Sequence, residues 1–373
     1  MAGLAETTAR LKRQRRGTPE RPEGTMTETP GFGANPGALR MLAYAPAGAE
    51  GLPLVVVLHG CGQRAERFAR QAGWLTLADR HGFVVVAAEQ STANNPNRCF
   101  NWFEPHDTRR GEGEAASIAA MVAHAVRTYR VDAARVFITG LSAGGAMTGV
   151  MLAAYPDVFA AGAVVAGLPF GVAHDVASAM GAMQGRDGRR PAELGGLVRA
   201  AAPAHSPLPR ITIWHGEADH TVRPQNASDV ARQWVDAHGL PQEGGVSEAF
   251  SRWTRTTWRE PGSDRPTVEL NLVPGLAHGA PLSTSGEAGL GSAGPYMLEA
   301  EVSSSMEIAR FWGLVDSVAA PAAAEPAATV QEPETRSPLL AVGAQVMSSV
   351  SPHVSAGVRE VIDNALKRAG LRR

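Results

Sequence analysis

The stretch RVFITGLSAGGAMTG, residues 135–149, starts as a strand and finishes as a helix. Val136, Phe137, Ile138 and Thr139 are β-branched or aromatic without a break, the pattern of a strand covered on both faces. From Ala143 onward the residues are small and compatible with a helix. Between the two stands Ser142, with Gly140 and Gly144 two positions to either side. A serine at such a strand-to-helix turn carries its hydroxyl clear of the backbone, and glycines are needed because the neighbouring elements pack close. The helix behind it aims free N–H groups and its positive dipole end at the same spot, where an oxyanion would be stabilised. Ser142 is therefore the candidate nucleophile. The bare pattern G-x-S-x-G is weak in a chain with 41 glycines; its position between a strand and a helix carries the weight.

Working outward, buried-strand patterns recur at 54–58, 83–88, 161–166, 211–214 and 268–273, with a weaker alternating strand at 39–44. Helical spacing occupies 68–80, 115–129, 143–154 and 227–237. This alternation predicts an α/β fold: a mostly parallel, doubly wound sheet with helices on both faces. Residues 168–208, rich in glycine and proline, read as an insertion over one edge, and 297–315 as the last helix. The chain divides into a polar N-terminal tail, 1–36, expected to be disordered, and a catalytic domain, 37–315. A Pro/Ala-rich linker, 316–338, leads to an amphipathic helical tail, 339–373. In that tail Val358, Val361, Ile362, Ala365 and Leu366 share one helical face, which could meet a polyester granule or a partner.

A net charge of −1 over 373 residues implies no general attraction to nucleic acid or anionic membranes. No apolar run approaches the roughly 20 residues of a membrane-spanning helix. The basic cluster near the N-terminus is not followed by an apolar segment, so no secretory signal is recognisable and a cytoplasmic location stays open. Two cysteines, Cys61 and Cys99, are too few for a disulfide scaffold or a cysteine-based zinc site.

A serine hydroxyl needs a base, and the base needs an acid to orient it. In a fold of this kind the order along the chain is serine, acid, histidine, each on a loop after a strand. ITIWHGEADHTV, 211–222, supplies Asp219, with Glu217 as the competing carboxylate. ELNLVPGLAHGAP, 269–281, supplies His278 on a glycine-flanked loop. His215 and His220 around these carboxylates raise the alternative of a metal pair, but no third ligand cluster is evident, so no metal and no cofactor are expected. The turn LHGCGQ, 58–63, follows an early strand and could offer the Cys61 N–H beside that of Ala143 as an oxyanion hole; a plain strand-ending turn is the competing reading.

Taken together, HGCGQ (59–63), AEQSTANNPNRCFNWF (88–103), RVFITGLSAGGAMT (135–148), YPDVFAAGAVVAGLPFG (155–171) and IWHGEAD (213–219) resemble the poly(3-hydroxybutyrate) depolymerase family of esterases. These are α/β-hydrolases related to bacterial feruloyl and acetyl-xylan esterases. The resemblance spans roughly residues 38–315 and implies Ser142 as nucleophile, Asp219 as acid and His278 as base. It also implies a disulfide between Cys61 and Cys99 that pins the oxyanion turn, with Trp102 as an apolar wall for the acyl group. Two reduced thiols and a core tryptophan are the competing readings. An extracellular location follows from the resemblance.

The leading expectation is a carboxylic ester hydrolase working through an acyl-serine, on short-chain polyhydroxyalkanoate or its oligomers. A feruloyl- or acetyl-xylan-type esterase is the near alternative, and a peptidase or thioesterase would use the same triad. A non-catalytic polyester-granule binding protein is the alternative from another class.

Overall fold

A computed structural model describes residues 24–286 and 289–315. The linker and helical tail assigned to 316–373, with any granule or partner contact through them, lie outside the described residues, as does most of the N-terminal tail.

The strands of the main sheet are β1 (Thr27–Glu28), β2 (Arg40–Tyr44), β3 (Leu54–Leu58), β4 (Val84–Glu89), β5 (Val136–Leu141), β6 (Ala161–Val165), β7 (Arg210–Gly216), β8 (Val246–Ala249), β9 (Thr254–Trp258) and β10 (Val268–Val273). They lie in the order β1-β2-β4-β3-β5-β6-β7-β10-β9-β8. The six from β4 through β10 are mutually parallel, and β1, β2, β9 and β8 close the two edges antiparallel. The helices are α1 (Ala65–Gln71), α2 (Trp74–His81), α3 (Pro105–Thr108), α4 (Gly113–Tyr129), α5 (Ala143–Ala154), α6 (Val176–Met183), α7 (Pro191–Ala201), α8 (Gln225–Ala237) and α9 (Ser304–Trp312).

Strand side chains alternate between faces, so the continuous apolar run of β3 feeds two cores at once. Leu54, Val56 and Leu58 join Ile118 of α4, Met147 of α5 and Trp234 of α8 on one side. Val55 and Val57 join Phe68 of α1, Trp74 of α2 and Trp312 of α9 on the other. Truncating one of these buried aliphatics to alanine costs about 2–5 kcal/mol. Parallel strands align their C-terminal ends, and β5 lies between β3 and β6 with Gly140 level with Leu58 and Val164. The turn after β5 therefore opens beside the turn after β3, at the edge where ligands bind in open α/β sheets.

Several expected boundaries shift. Order begins before residue 37. Thr27–Glu28 pairs with β2, Met26 and Phe32 are buried, and Arg40 bridges Glu28 and Glu89. The helix expected at 68–80 is two helices, broken at Gly73 (φ 83°), where a Cβ would fall 2.3 Å from the Leu290 side chain. The 168–208 insertion holds α6, started by Asp175 accepting from the Ser178 N–H at 2.7 Å, and α7. The last helix is only α9. Residues ahead of it form β12 (Met297–Glu299), parallel to β11 (Ala280–Leu282), and Ser303 caps the helix by accepting from the Met306 N–H.

Candidate active site

Ser142 sits between β5 and α5 with φ 57° and ψ −117°, a conformation that L-residues rarely adopt. Close packing on every side holds it there. A Cβ on Gly140 would lie 2.3 Å from the Gly144 carbonyl oxygen, and one on Gly144 would lie 2.3 Å from the Leu58 oxygen. A Cβ on Gly145 would lie 2.8 Å from the Val165 oxygen. The backbone of the turn is thus clamped between β3 and β6, the Ser142 N–H donates to the Val165 carbonyl at 2.9 Å, and Ser142 is only half-buried.

Asp219 and His278 reach the serine from two later loops that touch each other. The Ala218 N–H donates to the Leu276 carbonyl at 3.0 Å. Gly216 permits this, since a Cβ there would fall 2.2 Å from the Leu276 oxygen. His278 Nδ1 is 2.6 Å from Asp219 Oδ2, and His278 Nε2 is 3.0 Å from Ser142 Oγ. An ionised carboxylate only accepts, so Nδ1 carries the proton and Nε2 is free to accept the serine hydroxyl. Asp219 Oδ1 accepts from the Thr221 and Val222 N–H groups at 2.8 and 2.9 Å. Burial alone would raise the Asp219 pKa, but the bonds from His215, His278 and Val222 outweigh it and hold the carboxyl well below its usual range.

Glu217, the competing carboxylate, is exposed, whereas Asp219 is buried. His215 and His220 do not converge. His215 is the penultimate residue of β7, fully buried, with Nε2 2.8 Å from the Val222 carbonyl and 3.3 Å from Asp219 Oδ2. His220 is exposed and meets the Arg223 guanidinium. Among the described residues, no group of three or more His, Cys, Asp or Glu side chains is placed to hold a metal.

The β3 turn is braced by His59. Its Nδ1 donates to the Gly60 carbonyl at 2.8 Å, while Nε2 accepts from the Gln90 N–H at 3.0 Å. Burial pushes its pKa down, so the ring is the neutral tautomer those two bonds require. Within the turn, the Gly60 N–H is taken by the Gln63 side chain and the Gly62 N–H by the Asn97 carbonyl, 2.7 Å away. The N–H groups of Cys61 and Ala143 have no acceptor among the described residues. Cys61 is disulfide-bonded to Cys99, which joins the β3 turn to the loop after β4.

Trp102 is placed differently from Ser142 and its partners. It packs edge-on against Phe103 in the core and keeps 7% of its surface exposed. Tyr296, in contrast, is 48% exposed, with its ring centroid 5.8 Å from that of His278, so it forms part of the rim. Sequence reasoning did not single out Tyr296, and its loop carries no periodicity that would have marked it. His59 lies within the HGCGQ motif, but only its two hydrogen bonds reveal what it does.

Comparison with known proteins identifies the family and the fold. Residues 39–255 match the family described as esterase PHB depolymerase. Poly(3-hydroxyalkanoate) depolymerase C of Paucimonas lemoignei is 40% identical over 293 residues, covering 78% of this chain and 70% of that protein. An acetylxylan esterase of Coprinopsis cinerea is 34% identical over 272 residues, covering 71% and 72%. Among solved structures, the acetyl xylan esterase from Aspergillus awamori superposes with a TM-score of 0.66 at 24% identity, over 78% of this chain and all of that one. The fold is that of the α/β-hydrolases.

Proposed function

The chain belongs to the PHB depolymerase family of esterases, and from that premise we propose that it cleaves carboxylic esters through an acyl-enzyme on Ser142. The observation that carries the reading is the unbroken hydrogen-bonded line from Asp219 through His278 to Ser142 Oγ. Ser142 Oγ attacks the ester carbonyl carbon while its proton passes to His278 Nε2. The buried Asp219 carboxylate stabilises the resulting imidazolium. The Cys61 and Ala143 N–H groups, which have no acceptor among the described residues, receive the oxyanion. Collapse of the tetrahedral intermediate breaks the C–O bond, and the leaving alcohol takes the proton from His278. Water then repeats the sequence on the acyl-serine, releasing the acid and restoring Ser142.

The substrates we assign are short hydroxyalkanoate oligoesters, after the depolymerase named above; acetylated xylan, after the esterases, is the second reading. An esterase leaves no place for the purely binding role. The Cys61–Cys99 disulfide fits an oxidising, extracellular setting. The test is hydrolysis of p-nitrophenyl butyrate and of 3-hydroxybutyrate oligomers, with fluorophosphonate labelling mapped by mass spectrometry. Label on Ser142, and a loss on the order of 10⁶ in kcat for Ser142→Ala, is the expected result. Activity above a few per cent in that variant would refute it.

A further inference from the structure

A pocket of about 510 Å³ opens beside the β3 turn, lined by Cys61, Gly62, Thr92, Pro96, Asn97 and Arg98. Building on the esterase reading above, we propose that this pocket is an anion subsite in which Arg98 receives a carboxylate carried by the substrate, as at the free acid end of a hydroxy-acid oligoester.

Three observations converge on Arg98. First, its charge is uncommitted. Arg64, in the same region, is paired with Glu89 at 2.9 Å, but Arg98 makes no ion pair among the described residues. Its Nε is buried and has no hydrogen-bond partner. That atom is closed to solvent, so a ligand meets the terminal Nη groups instead, and the fork they form matches a carboxylate. Second, its backbone is held in the left-handed region, φ 51°, where a non-glycine residue is strained. The ties that hold it there bracket it: the Asn97 carbonyl accepts the Gly62 N–H, the Cys99 sulfur is bonded to Cys61, and the Arg98 N–H donates to Asn95 at 2.8 Å. Third, those ties end on the turn next to the serine. A Cβ on Gly60 would lie 3.4 Å from the Leu141 oxygen, so the turn that shares the pocket abuts the residue before Ser142. The Arg98 backbone is thereby tied to the turn beside Ser142, and a substrate carboxylate reaching the pocket would orient the ester across Ser142.

The test compares esters that differ only in that charge. The linear dimer of 3-hydroxybutyrate carries the carboxylate on its alcohol side, and its N-methylamide lacks it. p-Nitrophenyl hemisuccinate carries one on the acyl side, and p-nitrophenyl butyrate lacks it. For each pair the readout is the ratio of kcat/KM, acid over neutral, within one preparation, so that any loss of folded protein cancels. Arg98→Gln is expected to lower the ratio on the order of tenfold, through KM, in whichever pair reaches the pocket, and Arg98→Lys to retain part of it. An unchanged ratio in both pairs overturns the subsite. If the wild type cleaves none of the four esters, the esterase reading fails by itself. Calorimetric binding of the dimer anion to Ser142→Ala, with and without Arg98→Gln, then decides the subsite: equal affinities overturn it, and weaker binding without Arg98 supports it.

Discussion

Asp219 gives one carboxylate oxygen to His278, 2.6 Å away, and the other to the backbone N–H groups of Thr221 and Val222. The two oxygens therefore have unequal surroundings, which makes the outcome of an amide substitution directional. In Asp219→Asn the amide oxygen must face the two N–H donors, so the amide NH₂ faces His278 Nδ1. That forces the imidazole proton onto Nε2, where it cannot accept from Ser142. We expect kcat on p-nitrophenyl butyrate to fall on the order of 10⁴ with KM little changed. Glu217→Gln, at an exposed side chain, should stay within about twofold of wild type. If the two variants ranked the other way, Asp219 would not be the acid.

The elbow glycines make a paired prediction within one helix. Gly144→Ala drives a methyl group to 2.3 Å from the Leu58 oxygen, so the strand or the serine turn must move. A loss of several kcal/mol and of nearly all activity should follow. Gly149, five residues on, would meet only the Leu168 oxygen at 3.9 Å. Gly149→Ala should instead raise the melting temperature slightly, since alanine favours a helix by up to about 1 kcal/mol. Thermal melts of both proteins check this, and equal destabilisation would count against the clamp.

Glu114 sets a pH dependence. It is buried at the start of α4 and accepts from the Asn101 N–H at 2.9 Å and from the Gln90 side chain. Burial, with the charge of Asp107 second, pushes its pKa up from 4.5 to about 8. Between those values the folded protein keeps a proton that the unfolded chain has released. Its contribution is thus complete below about pH 4.5, falls as pH rises, and levels off above about 8. Glu114→Gln should flatten the stability profile over that window by a few kcal/mol. Denaturant titrations of the two proteins at pH 5 and pH 8 measure the difference, and parallel profiles would contradict it.

The Cys61–Cys99 bond closes a loop of 38 residues. Its removal by Cys99→Ser or by reduction should cost roughly 4 kcal/mol if chain entropy dominates. Because the bond also joins the β3 turn to the loop after β4, esterase activity should decline at temperatures where circular dichroism still reports a folded protein. Parallel loss of activity and ellipticity would mean the bond serves stability alone.

What could be read in the sequence follows from burial. Strands β3, β4, β5, β6 and β7 announce themselves because both faces are covered and most residues must be apolar; β10 (VELNLV) alternates instead, its buried Glu269 and Asn271 bonded to each other and to Thr212. β8 (VSEA) is wholly exposed and β9 (TRTTW) half-exposed, so neither carries a signal distinguishable from a loop. The break at Gly73 and the β12–α9 division were hidden because each depends on a distant neighbour or a single positive φ, such as that of Glu301 at 55°. In the site, Ser142, Asp219 and His278 could be singled out because chain order and strand ends restrict the choices. The apolar pattern of this strand stops at residue 214, yet His215 continues β7 in full burial; the Val222 carbonyl and Asp219 beside it make a buried histidine acceptable.

The serine turn is walled by main-chain oxygens of Leu58, Gly144 and Val165. Carbonyl oxygens are present whatever the side chains of those residues are, so no compensating mutation can make room for a larger residue at the elbow glycines. Diversification of this enzyme, whether by natural drift or by a laboratory library, is therefore channelled elsewhere. The positions free to vary are those of α6 with its exposed Val176 and Met180, and of the rim at Tyr296. Substrate range can be rewritten there while the reaction itself stays fixed.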